Sequence, residues 1–338
     1  MNILIIGGTR NLGHFLTAAL LERGHHVTLL NRGKSPDELP PQVERLRADR
    51  TDPHQLERAL AGRDFDAVVD NAIYKGSEAE TIIRLLEGHT GHYLFLSTGQ
   101  VYLVREGVER PFDEDAYEGR IMPAPKINTY SYEEWLYGVE KRQVEDVMAR
   151  AHATRAFPYT SLRLPMVNSE RDHHNRLYGY WLRLKDGGPI LVPETPDYPL
   201  RHVYGGDVVQ AILRCLDSGP GRGSIYNISQ DETVMLDEFL EIVGSLVGVV
   251  PRIVRVRRSA LEAGGFLPDC SPFSERWMSE LTNERGKSEL GMVYTPLPDY
   301  LAKIVSHYES RPVREPASYR RRQAEISFAL QAANSATP

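Results

Sequence analysis

Two side chains near the middle of the chain have the types and spacing of a proton-transfer pair. Tyr137 and Lys141 stand four residues apart, and residues at this spacing share one face of a helix. A tyrosine hydroxyl has a pKa of about 10, so it exchanges protons at neutral pH only when that pKa is lowered. A lysine cation beside the ring lowers it electrostatically. The pair therefore predicts acid–base chemistry on a hydroxyl or carbonyl oxygen.

Two hydroxyl side chains, Ser97 and Thr98, end a predicted strand upstream of that pair. Open parallel sheets bind ligands at the carboxyl edge of their strands, so we expect a hydroxyl there to hydrogen-bond the reacting oxygen. The chain holds 17 tyrosines, and a lone Tyr-Lys pair at this spacing could arise by chance. The ordered set is more specific, because a glycine turn and strand-end hydroxyls precede the pair.

The glycine turn lies at the start of the chain. Gly7, Gly8 and Gly13 stand between an apolar run at residues 3–6 and a predicted helix at 14–23. Glycines let the backbone approach a pyrophosphate, and a helix N-terminus supplies N–H donors and a positive dipole. In a βαβ context the turn predicts a dinucleotide site rather than only a tight connection between strand and helix.

The end of the second predicted strand indicates which dinucleotide binds. Asn31 and Arg32 stand there, without the carboxylate that bonds the 2′-hydroxyl of NAD. An arginine can pair with a 2′-phosphate, and Arg10 is expected to point to the same neighbourhood. NADP(H) is therefore the predicted cofactor and NAD(H) the alternative, unless both arginines are only solvated. Asp49 is expected to accept a hydrogen bond from the adenine amino group, and Asp52 to cap the next helix.

The elements that must position these residues alternate along the first half of the chain. Predicted strands cover 2–6, 27–30, 45–48, 67–70, 92–97, 159–164 and 224–228, and predicted helices cover 14–23, 53–61, 78–87 and 132–151. Strands separated by helices predict βαβ units, a parallel sheet and right-handed crossovers. The predicted fold class is α/β, a doubly wound parallel-sheet Rossmann domain with a smaller, mixed substrate-binding lobe.

The domain boundaries follow from where this alternation loosens, at about residue 168. We assign 1–167 and 201–230 to the Rossmann domain, 168–200 and 231–311 to the substrate-binding lobe, and 312–338 to a C-terminal tail that we expect to be partly ordered and solvated. The lobe contains three aromatic residues that either pack its core or line a pocket: Tyr178, Tyr180 and Trp181.

The composition excludes several functional classes. The net charge is −6, which gives no basic surface for nucleic acid or anionic lipid, and no apolar stretch approaches the ~20 residues that span a bilayer. The two cysteines make no metal or disulfide pattern, which is typical of a cytoplasmic protein. We expect no metal site, since His173, His174 and His202 look like loop histidines. The acidic stretch at residues 113–115 is expected to be a solvated loop.

Taken together, these features resemble the NAD(P)-dependent epimerase/dehydratase family, within the extended and atypical short-chain dehydrogenases/reductases, over roughly residues 1–311. The resemblance implies that Thr98, three residues before a Val-Tyr pair, is the catalytic hydroxyl, and that Tyr137 and Lys141 complete the catalytic set. It also implies that Asn71-Ala72 contacts the cofactor, that Lys75 approaches the pyrophosphate or ribose, and that the Leu162–Val167 segment lies along the nicotinamide.

The predicted binding residues form two sets. The cofactor-binding residues are Gly7, Gly8, Thr9, Arg10, Asn11, Leu12, Gly13, Asn31, Arg32, Asp49, Arg50, Asn71, Ala72, Lys75, Ser97, Tyr137, Lys141, Leu164, Pro165 and Val167. The substrate-binding residues are Thr98, Gln100, Asn168 and Arg201, the last of which matches a family arginine that often binds a substrate phosphate.

The chain also departs from the family pattern. Arg10 stands where many epimerases have a glycine, and Asn168 replaces the start of the usual Tyr-Gly-Pro. Both departures point away from nucleotide sugars, whereas Arg201 keeps an anionic or nucleotide-linked substrate open. Gly99 and Gln100 stand where dehydratases place an acidic pair, which disfavours 4,6-dehydration.

The predicted function is hydride transfer between nicotinamide and a carbonyl or hydroxyl carbon, with Tyr137 as acid or base. Reduction and epimerisation both stay open. The alternatives are a nucleotide-sugar epimerase or dehydratase with tightly held NAD, and a non-catalytic family member that senses NADP(H) or binds RNA. The expected partners are a small-molecule substrate and a second copy of the chain across the helix at 132–151, with no nucleic acid and no membrane.

Overall fold

The computed structural model describes residues 1–34, 37–218, 222–311 and 315–335. Its strands are β1 (Asn2–Ile6), β2 (His26–Asn31), β3 (Glu44–Arg47), β4 (Ala67–Asp70), β5 (Tyr93–Thr98), β6 (Tyr159–Leu164), β7 (Val167–Asn168), β8 (Ile190–Pro193), β9 (Val203–Tyr204), β10 (Ser224–Asn227) and β11 (Ile253–Val256). Its α-helices are α1 (Asn11–Glu22), α2 (Pro53–Leu60), α3 (Gly76–Leu86), α4 (Gln100–Leu103), α5 (Tyr130–Arg155), α6 (Arg176–Lys185), α7 (Gly205–Ser218), α8 (Leu236–Val247), α9 (Arg258–Ala263), α10 (Glu284–Leu290), α11 (Leu297–Ser310) and α12 (Arg322–Ser335).

Seven parallel strands form the main sheet of the described residues, in the order β10-β6-β5-β4-β1-β2-β3. The chain winds outward from β1 to β3 on one side and from β4 to β10 on the other, so the order reverses between β1 and β4. This arrangement confirms the predicted doubly wound fold. At such a reversal the loops after neighbouring strands part and leave a crevice at the carboxyl edge.

Apolar side chains hold the sheet to its helices. β1, β4 and β5 are buried on both faces, as near-continuous apolar strands in a parallel sheet must be. Ile82 of α3, Phe95 of β5 and Met148 of α5 belong to one fully buried cluster. Burying a side chain of this size contributes about 1.5–3 kcal/mol, so this layer fixes where α5 lies against the sheet.

The long helix α5 begins and ends at recognisable signals. The Thr129 side chain accepts a hydrogen bond from the Tyr132 amide at 3.2 Å, which caps the helix as a threonine at this position should. The helix ends at Ala156, whose φ of 54° is left-handed. Between these points α5 buries polar residues, among them Lys141, Arg142 and Glu145. A hydrophobic pattern alone therefore describes this helix poorly.

The chain divides into two compact units. The first comprises Met1–Pro165, Val203–Ser229 and Leu281–Tyr294, and the second comprises Met166–His202, Gln230–Glu280 and Thr295–Pro338. This division differs from the predicted boundaries, since 281–294 joins the Rossmann unit. The reason is hydrogen bonding: the Asn283 side chain donates to the Ser229 carbonyl at 2.8 Å, and the Thr282 amide donates to the Phe112 carbonyl at 2.9 Å.

The C-terminal region is not the separate solvated tail that we expected. Its described part, residues 315–335, belongs to the second unit, and Arg322, Glu325 and Ala329 are buried there. Glu325 pairs with Arg183 of α6 at 2.6 Å, and both side chains are 1% exposed. The helix buries these charges together with Ala329, and Phe328 packs against a buried apolar cluster. Because charged and apolar residues share the buried face, the sequence pattern does not reveal the contact. Residues 312–314 and 336–338 lie outside the described residues.

Aromatic side chains pack the interior of the second unit. Tyr178 and Trp181 stack with ring centroids 5.3 Å apart, and Tyr308 meets Tyr178 edge-on at 4.9 Å. Tyr180 is fully buried, with its hydroxyl 3.0 Å from the Ser271 hydroxyl. Of the two roles left open for these residues, the structure shows core packing.

The acidic stretch at 113–115 is only partly the solvated loop that we expected. Asp115 is exposed, but Glu114 is 8% exposed and accepts a hydrogen bond from the Asn227 amide at 2.8 Å. Burial raises the pKa of the Glu114 carboxyl. Glu114 therefore ties its loop to the end of β10, a contact between residues more than a hundred positions apart.

Within the described residues, no helix combines the length and apolar character needed to cross a membrane.

Candidate functional site

The glycine turn after β1 is shaped by backbone contact. A Cβ added to Gly13 would lie 2.4 Å from the Gly7 carbonyl oxygen, and one added to Gly8 would lie 2.4 Å from Leu29 Cδ2. Gly7 has a φ of +83°, a conformation that only glycine adopts readily. Gly13 is thus required by the close approach of α1 to the turn, whereas Gly8 is required by side-chain contacts and Gly7 by its positive φ. The three residues form a narrow backbone cradle at the carboxyl end of β1.

The first turn of α1 presents its amides to that cradle. Asn11 opens the helix, and Arg10 is the N-cap residue, with no side-chain hydrogen bond to the first turn, because arginine has no acceptor atom. The N-terminal amides of a helix are an anion-binding group when no side chain caps them. Thr9 and Leu12 flank this turn, with Leu12 buried beneath it.

Asn71 supplies a second sign of a ligand at this edge. Its side-chain oxygen and nitrogen are both buried, and neither has a hydrogen-bond partner in the described residues. Asn71 and Ala72 follow β4 and lie against Gly7, whose added Cβ would be 3.2 Å from the Ala72 Cβ. Unsatisfied buried amides are costly, and a bound pyrophosphate or ribose would satisfy this one. The residues around the turn therefore fit a dinucleotide.

The tip of β2 combines an amide with arginines. Asn31 Oδ1 accepts hydrogen bonds from the Gly33 amide at 2.8 Å and from the Arg47 guanidinium. The Asn31 amide nitrogen is buried without a partner in the described residues. Arg32 lies 3.8 Å from Asp49, with 58% of its side chain exposed. Arg47, at the end of β3, was missed by sequence reasoning because its strand is short and half-polar.

Of the two acidic residues after β3, Asp52 has the role that we expected, and the adenine contact of Asp49 stays a prediction. Asp52 accepts hydrogen bonds from the His54 and Gln55 amides at 3.0 and 3.1 Å, which confirms it as the cap of α2. The Asp49 carboxylate accepts a hydrogen bond from the Thr51 amide at 3.0 Å. That backbone hydrogen bond lowers the pKa of the Asp49 carboxyl.

Arg50 has different partners from those expected of a cofactor ligand. Its guanidinium donates to Asp70 at 2.6 Å, to Glu78 at 2.9 Å and to the Ala72 carbonyl at 2.8 Å. Tyr93 donates to the same Asp70 carboxylate at 2.7 Å. The arginine is thus bound into an ion-pair cluster under the loop after β4. We assign it the role of fixing that loop.

The two strand-end hydroxyls face different surroundings. Thr98 ends β5 and its Oγ1 accepts a hydrogen bond from the Gln100 amide at 3.2 Å. Ser97 instead donates to the buried Glu145 carboxylate, which also binds Arg163 at 2.6 Å. Adjacent strand residues point to opposite faces, so only one of the two can face a ligand. The contacts assign Ser97 to the interior.

Tyr137 and Lys141 share a face of α5, as the spacing predicted. Lys141 is 3% exposed, and its ammonium group donates to the Ile73 carbonyl at 2.6 Å and to the Leu96 carbonyl at 2.7 Å. Its Nζ lies 5.8 Å from the centre of the Tyr137 ring. Burial lowers the pKa of Lys141 to about 8, with the Asp70 charge acting in the opposite direction.

A second tyrosine joins this pair. The Lys141 ammonium group lies 5.1 Å from the Tyr74 ring centre, and the Tyr74 and Tyr137 rings are 6.3 Å apart. Tyr74 is 46% exposed, and its amide donates to Glu78 at 2.9 Å, which fixes the loop. Sequence reasoning missed Tyr74, because only the folded loop brings it against the lysine.

Gly138 lets α5 approach the turn after β5. A Cβ at this position would lie 2.6 Å from Val104 Cγ1 and 2.8 Å from the Gln100 carbonyl oxygen. Gln100 then reaches α5 with its side chain, whose amide nitrogen donates to the Glu134 carboxylate at 2.6 Å. The glycine thus brings Thr98 and Tyr137 onto neighbouring segments.

The remaining predicted residues of the first unit lie along the same sheet edge. Leu164 ends β6 opposite Thr98, its carbonyl accepts a hydrogen bond from the Gly99 amide at 2.8 Å, and Pro165 follows it in a buried position. Lys75 is mostly exposed at the start of α3, with its ammonium 3.7 Å from Glu140.

Three predicted binding residues belong to the second unit, namely Val167, Asn168 and Arg201. Val167 and Asn168 form β7, and the buried Asn168 amide donates to the Tyr300 hydroxyl at 3.3 Å. The Arg201 guanidinium donates to the Gln230 carbonyl at 2.9 Å. In the part of the chain that the structure describes, no group of three or more His, Cys, Asp or Glu side chains is arranged to hold a metal ion.

Comparison with known proteins identifies the family and several relatives of the chain. A profile of the NAD dependent epimerase/dehydratase family matches residues 3–229. The chain is 28% identical to the chloroplast stem-loop binding protein of 41 kDa b of Arabidopsis thaliana over 250 residues, which are 70% of this chain and 60% of that protein. It is 24% identical to 2′-dehydrokanamycin reductase of Streptomyces kanamyceticus over 252 residues, 73% of this chain and 67% of that one.

Solved structures share the fold at lower identity. The UDP-glucose 4-epimerase of Thermotoga maritima superimposes with a TM-score of 0.72 at 17% identity, over 92% of this chain and 99% of that one. At this identity the likeness concerns the fold alone.

Proposed function

The chain belongs to the NAD dependent epimerase/dehydratase family, and we propose that it is an NADP(H)-dependent oxidoreductase acting on a carbonyl or hydroxyl carbon. The observation that carries this proposal is the Tyr137–Lys141 arrangement at the carboxyl edge of the sheet. A buried ammonium group, held by the Ile73 and Leu96 carbonyls, lies 5.8 Å from the Tyr137 ring.

Each side chain of this arrangement has a distinct task in the proposed reaction. The Lys141 cation favours the ionised form of the Tyr137 hydroxyl. Tyr137 takes the proton from a substrate hydroxyl, or returns one to a substrate carbonyl, as a general acid–base. Thr98 donates a hydrogen bond to the same oxygen and orients it. The nicotinamide, when bound, supplies or accepts the hydride.

The residues proposed to hold the cofactor lie around the glycine turn and the tip of β2. The backbone from Gly7 to Gly13 would bind the pyrophosphate, and Asn71 would satisfy its buried amide on the cofactor. The described part of the β2 tip carries Arg32, with Arg47 beside it, and no carboxylate in the position that bonds a 2′-hydroxyl. These cations support a 2′-phosphate and therefore NADP(H).

We propose reduction, with cofactor exchange at each turnover, as the direction of the reaction. One relative is named as a reductase, and the exposed arginines at the tip of β2, Arg32 and Arg47, suit a cofactor that enters and leaves. Gly99 and Gln100, which follow Thr98, supply no acidic pair for dehydration.

A cofactor titration combined with two tyrosine variants tests this proposal. NADPH is expected to bind at least tenfold more tightly than NADH when nicotinamide fluorescence is followed, and Arg32→Ala to remove most of the difference. Tyr137→Phe is expected to lower carbonyl reduction by about 100-fold or more. Tyr132→Phe, on the same helix, is the matched control and should keep its activity. Equal affinity for both cofactors would contradict the NADP(H) assignment, and unchanged turnover in Tyr137→Phe would contradict the catalytic one.

A further inference from the structure

One carboxylate beside the proposed reaction centre is not used by the chemistry described above. Glu134 lies on α5 three residues before Tyr137, a spacing that makes the two side chains neighbours on the helix surface. It is half-buried, and its hydrogen bond from Gln100 is the contact that the carboxylate makes within the described residues. No lysine or arginine of these residues pairs with it.

Gln100 connects this carboxylate to the other side of the site. Its backbone amide donates to Thr98 Oγ1 at 3.2 Å, and its side-chain amide donates to Glu134 at 2.6 Å. One N–H of the Gln100 side chain is donated to Glu134, which leaves its second N–H and its carbonyl oxygen for another partner. Glu134 likewise retains its second carboxylate oxygen. The pair therefore carries one negative charge and two acceptor oxygens, together with the second N–H of Gln100, and it lies close to Thr98 in sequence and on the same helix as Tyr137.

The chemistry of this pair selects a substrate class. We propose that Glu134, held by Gln100, binds a protonated amine of the substrate close to the reacting carbon, so that the preferred substrate is an amino-substituted alcohol or ketone. This inference rests on the proposed function, because it takes Tyr137 and Thr98 as the groups that bind the reacting oxygen.

The electrostatics favour an amine over the other substituents. An ionised carboxylate accepts charge-assisted hydrogen bonds from an ammonium group, and such bonds are about twice as strong as neutral ones. A phosphate or carboxylate at the same place would meet the like charge of Glu134, which one N–H of Gln100 does not offset. Next to the reacting carbon, the pair therefore disfavours the anionic substituent that Arg201 suggested from sequence.

A purely structural role for Glu134 makes a different prediction. If the pair only fastened α4 to α5, its loss would lower stability and weaken all ligands alike. If it binds an amine, its loss changes the ratio between charged and uncharged ligands and leaves the fold intact. Glu134→Gln suits this distinction, because the glutamine oxygen can still accept the hydrogen bond from Gln100.

The test uses three matched sugars and the full chain. Dissociation constants are measured by calorimetry at pH 7, with and without NADP⁺, for glucosamine, N-acetylglucosamine and glucuronate. The wild type is expected to bind glucosamine about tenfold or more tightly than the other two. Glu134→Gln should reduce that ratio to about twofold, with an unchanged melting temperature. Glu133→Gln, an exposed neighbour on the same helix, should retain the wild-type ratio.

Two outcomes overturn the inference. The first is that the wild type does not prefer glucosamine, which includes the case in which none of the three sugars binds measurably. The second is that the preference for glucosamine survives in Glu134→Gln. Failure of the proposed function has a separate signature, since it would show as absent NADP(H) binding in the wild type.

Discussion

At the scale of single residues, one buried cation organises the candidate site. Lys141 is 3% exposed, yet two backbone carbonyls accept its hydrogen bonds. Two tyrosine rings lie within 6 Å of its ammonium group. Burial is the largest effect on its titration and lowers its pKa to about 8. A lysine in this state is charged at neutral pH and loses its charge under mildly basic conditions.

That pKa leads to a prediction about pH. We expect kcat/KM for carbonyl reduction to fall as the pH rises through about 8, because deprotonation of Lys141 removes the cation that stabilises the tyrosinate formed when Tyr137 gives its proton to the carbonyl. The profile is measured from pH 6 to 10 by NADPH absorbance, with circular dichroism to verify the fold. Lys141→Met should lose most activity and show no step near pH 8. A wild-type rate that stays constant to pH 10 would contradict this role.

At the scale of elements, the contact between α4 and α5 positions the proposed catalytic groups. Gly138 is the residue that permits it, since an added Cβ would lie 2.6 Å from Val104 Cγ1 and 2.8 Å from the Gln100 carbonyl oxygen. Real Cβ atoms do not approach backbone this closely, so a larger residue must push the two segments apart.

Gly138→Ala should therefore lower the stability of the protein, although alanine has the higher helix propensity. In an exposed helix the substitution stabilises by up to about 1 kcal/mol, whereas overpacking here should cost about 1–3 kcal/mol. We also expect kcat to fall tenfold or more, because Thr98 and Tyr137 separate. Urea denaturation and steady-state kinetics measure the two effects. A more stable variant with normal turnover would show that the contact is not tight.

The C-terminal helix α12 is a second element whose role depends on charge. Glu325 pairs with Arg183 at 2.6 Å and with Arg322 at 3.2 Å, and all three side chains are at most 5% exposed. Removing one partner of such a group leaves buried charge without compensation.

Glu325→Ala is accordingly expected to lower the free energy of unfolding by about 3–5 kcal/mol. Gln323→Ala, two residues away and exposed, is the matched control and should change it by less than about 0.5 kcal/mol. Both are measured from urea denaturation curves. Equal effects of the two substitutions on the free energy of unfolding would show that α12 contributes no more to stability than a solvated tail.

At the scale of the whole molecule, buried neutral histidines link stability to pH. His92, which bonds Thr160 at 2.9 Å, has its pKa lowered to about 4 by burial, and His202 has its pKa lowered to about 3 by the same cause. Both groups have an ordinary value of about 6.5 in the unfolded chain. The unfolded state therefore binds more protons between these values, so stability is lost as the pH falls below about 6.5.

Each histidine should cost about 2 kcal/mol of stability on going from pH 7 to pH 5. The urea midpoint measured at both pH values checks this expectation. His92→Gln should lose about 2 kcal/mol less than the wild type over that interval. His54→Gln, in which an exposed histidine is replaced, should behave like the wild type. A midpoint independent of pH would mean that these histidines titrate normally in the folded state.

The fold and part of the site were predictable from local signals. The apolar strands, the Asp52 cap and the glycine turn each express a rule that operates within a few residues of sequence. The Tyr137–Lys141 spacing belongs to the same class, because an i, i+4 relationship is decided by the helix itself. The burial of Ser97 and Arg50 was not predictable, because each depends on a carboxylate from a distant segment, Glu145 and Asp70 respectively.

The sequence by itself determined the doubly wound sheet, the glycine turn and the order of the proposed catalytic residues, since periodicity and spacing act locally. The tertiary structure alone decided which polar residues face inward. It placed Glu134 against Gln100, Tyr74 against Lys141 and α12 in the second unit. The physical reason is that a buried charge is stable only with a partner, and the partners here are supplied by remote parts of the chain.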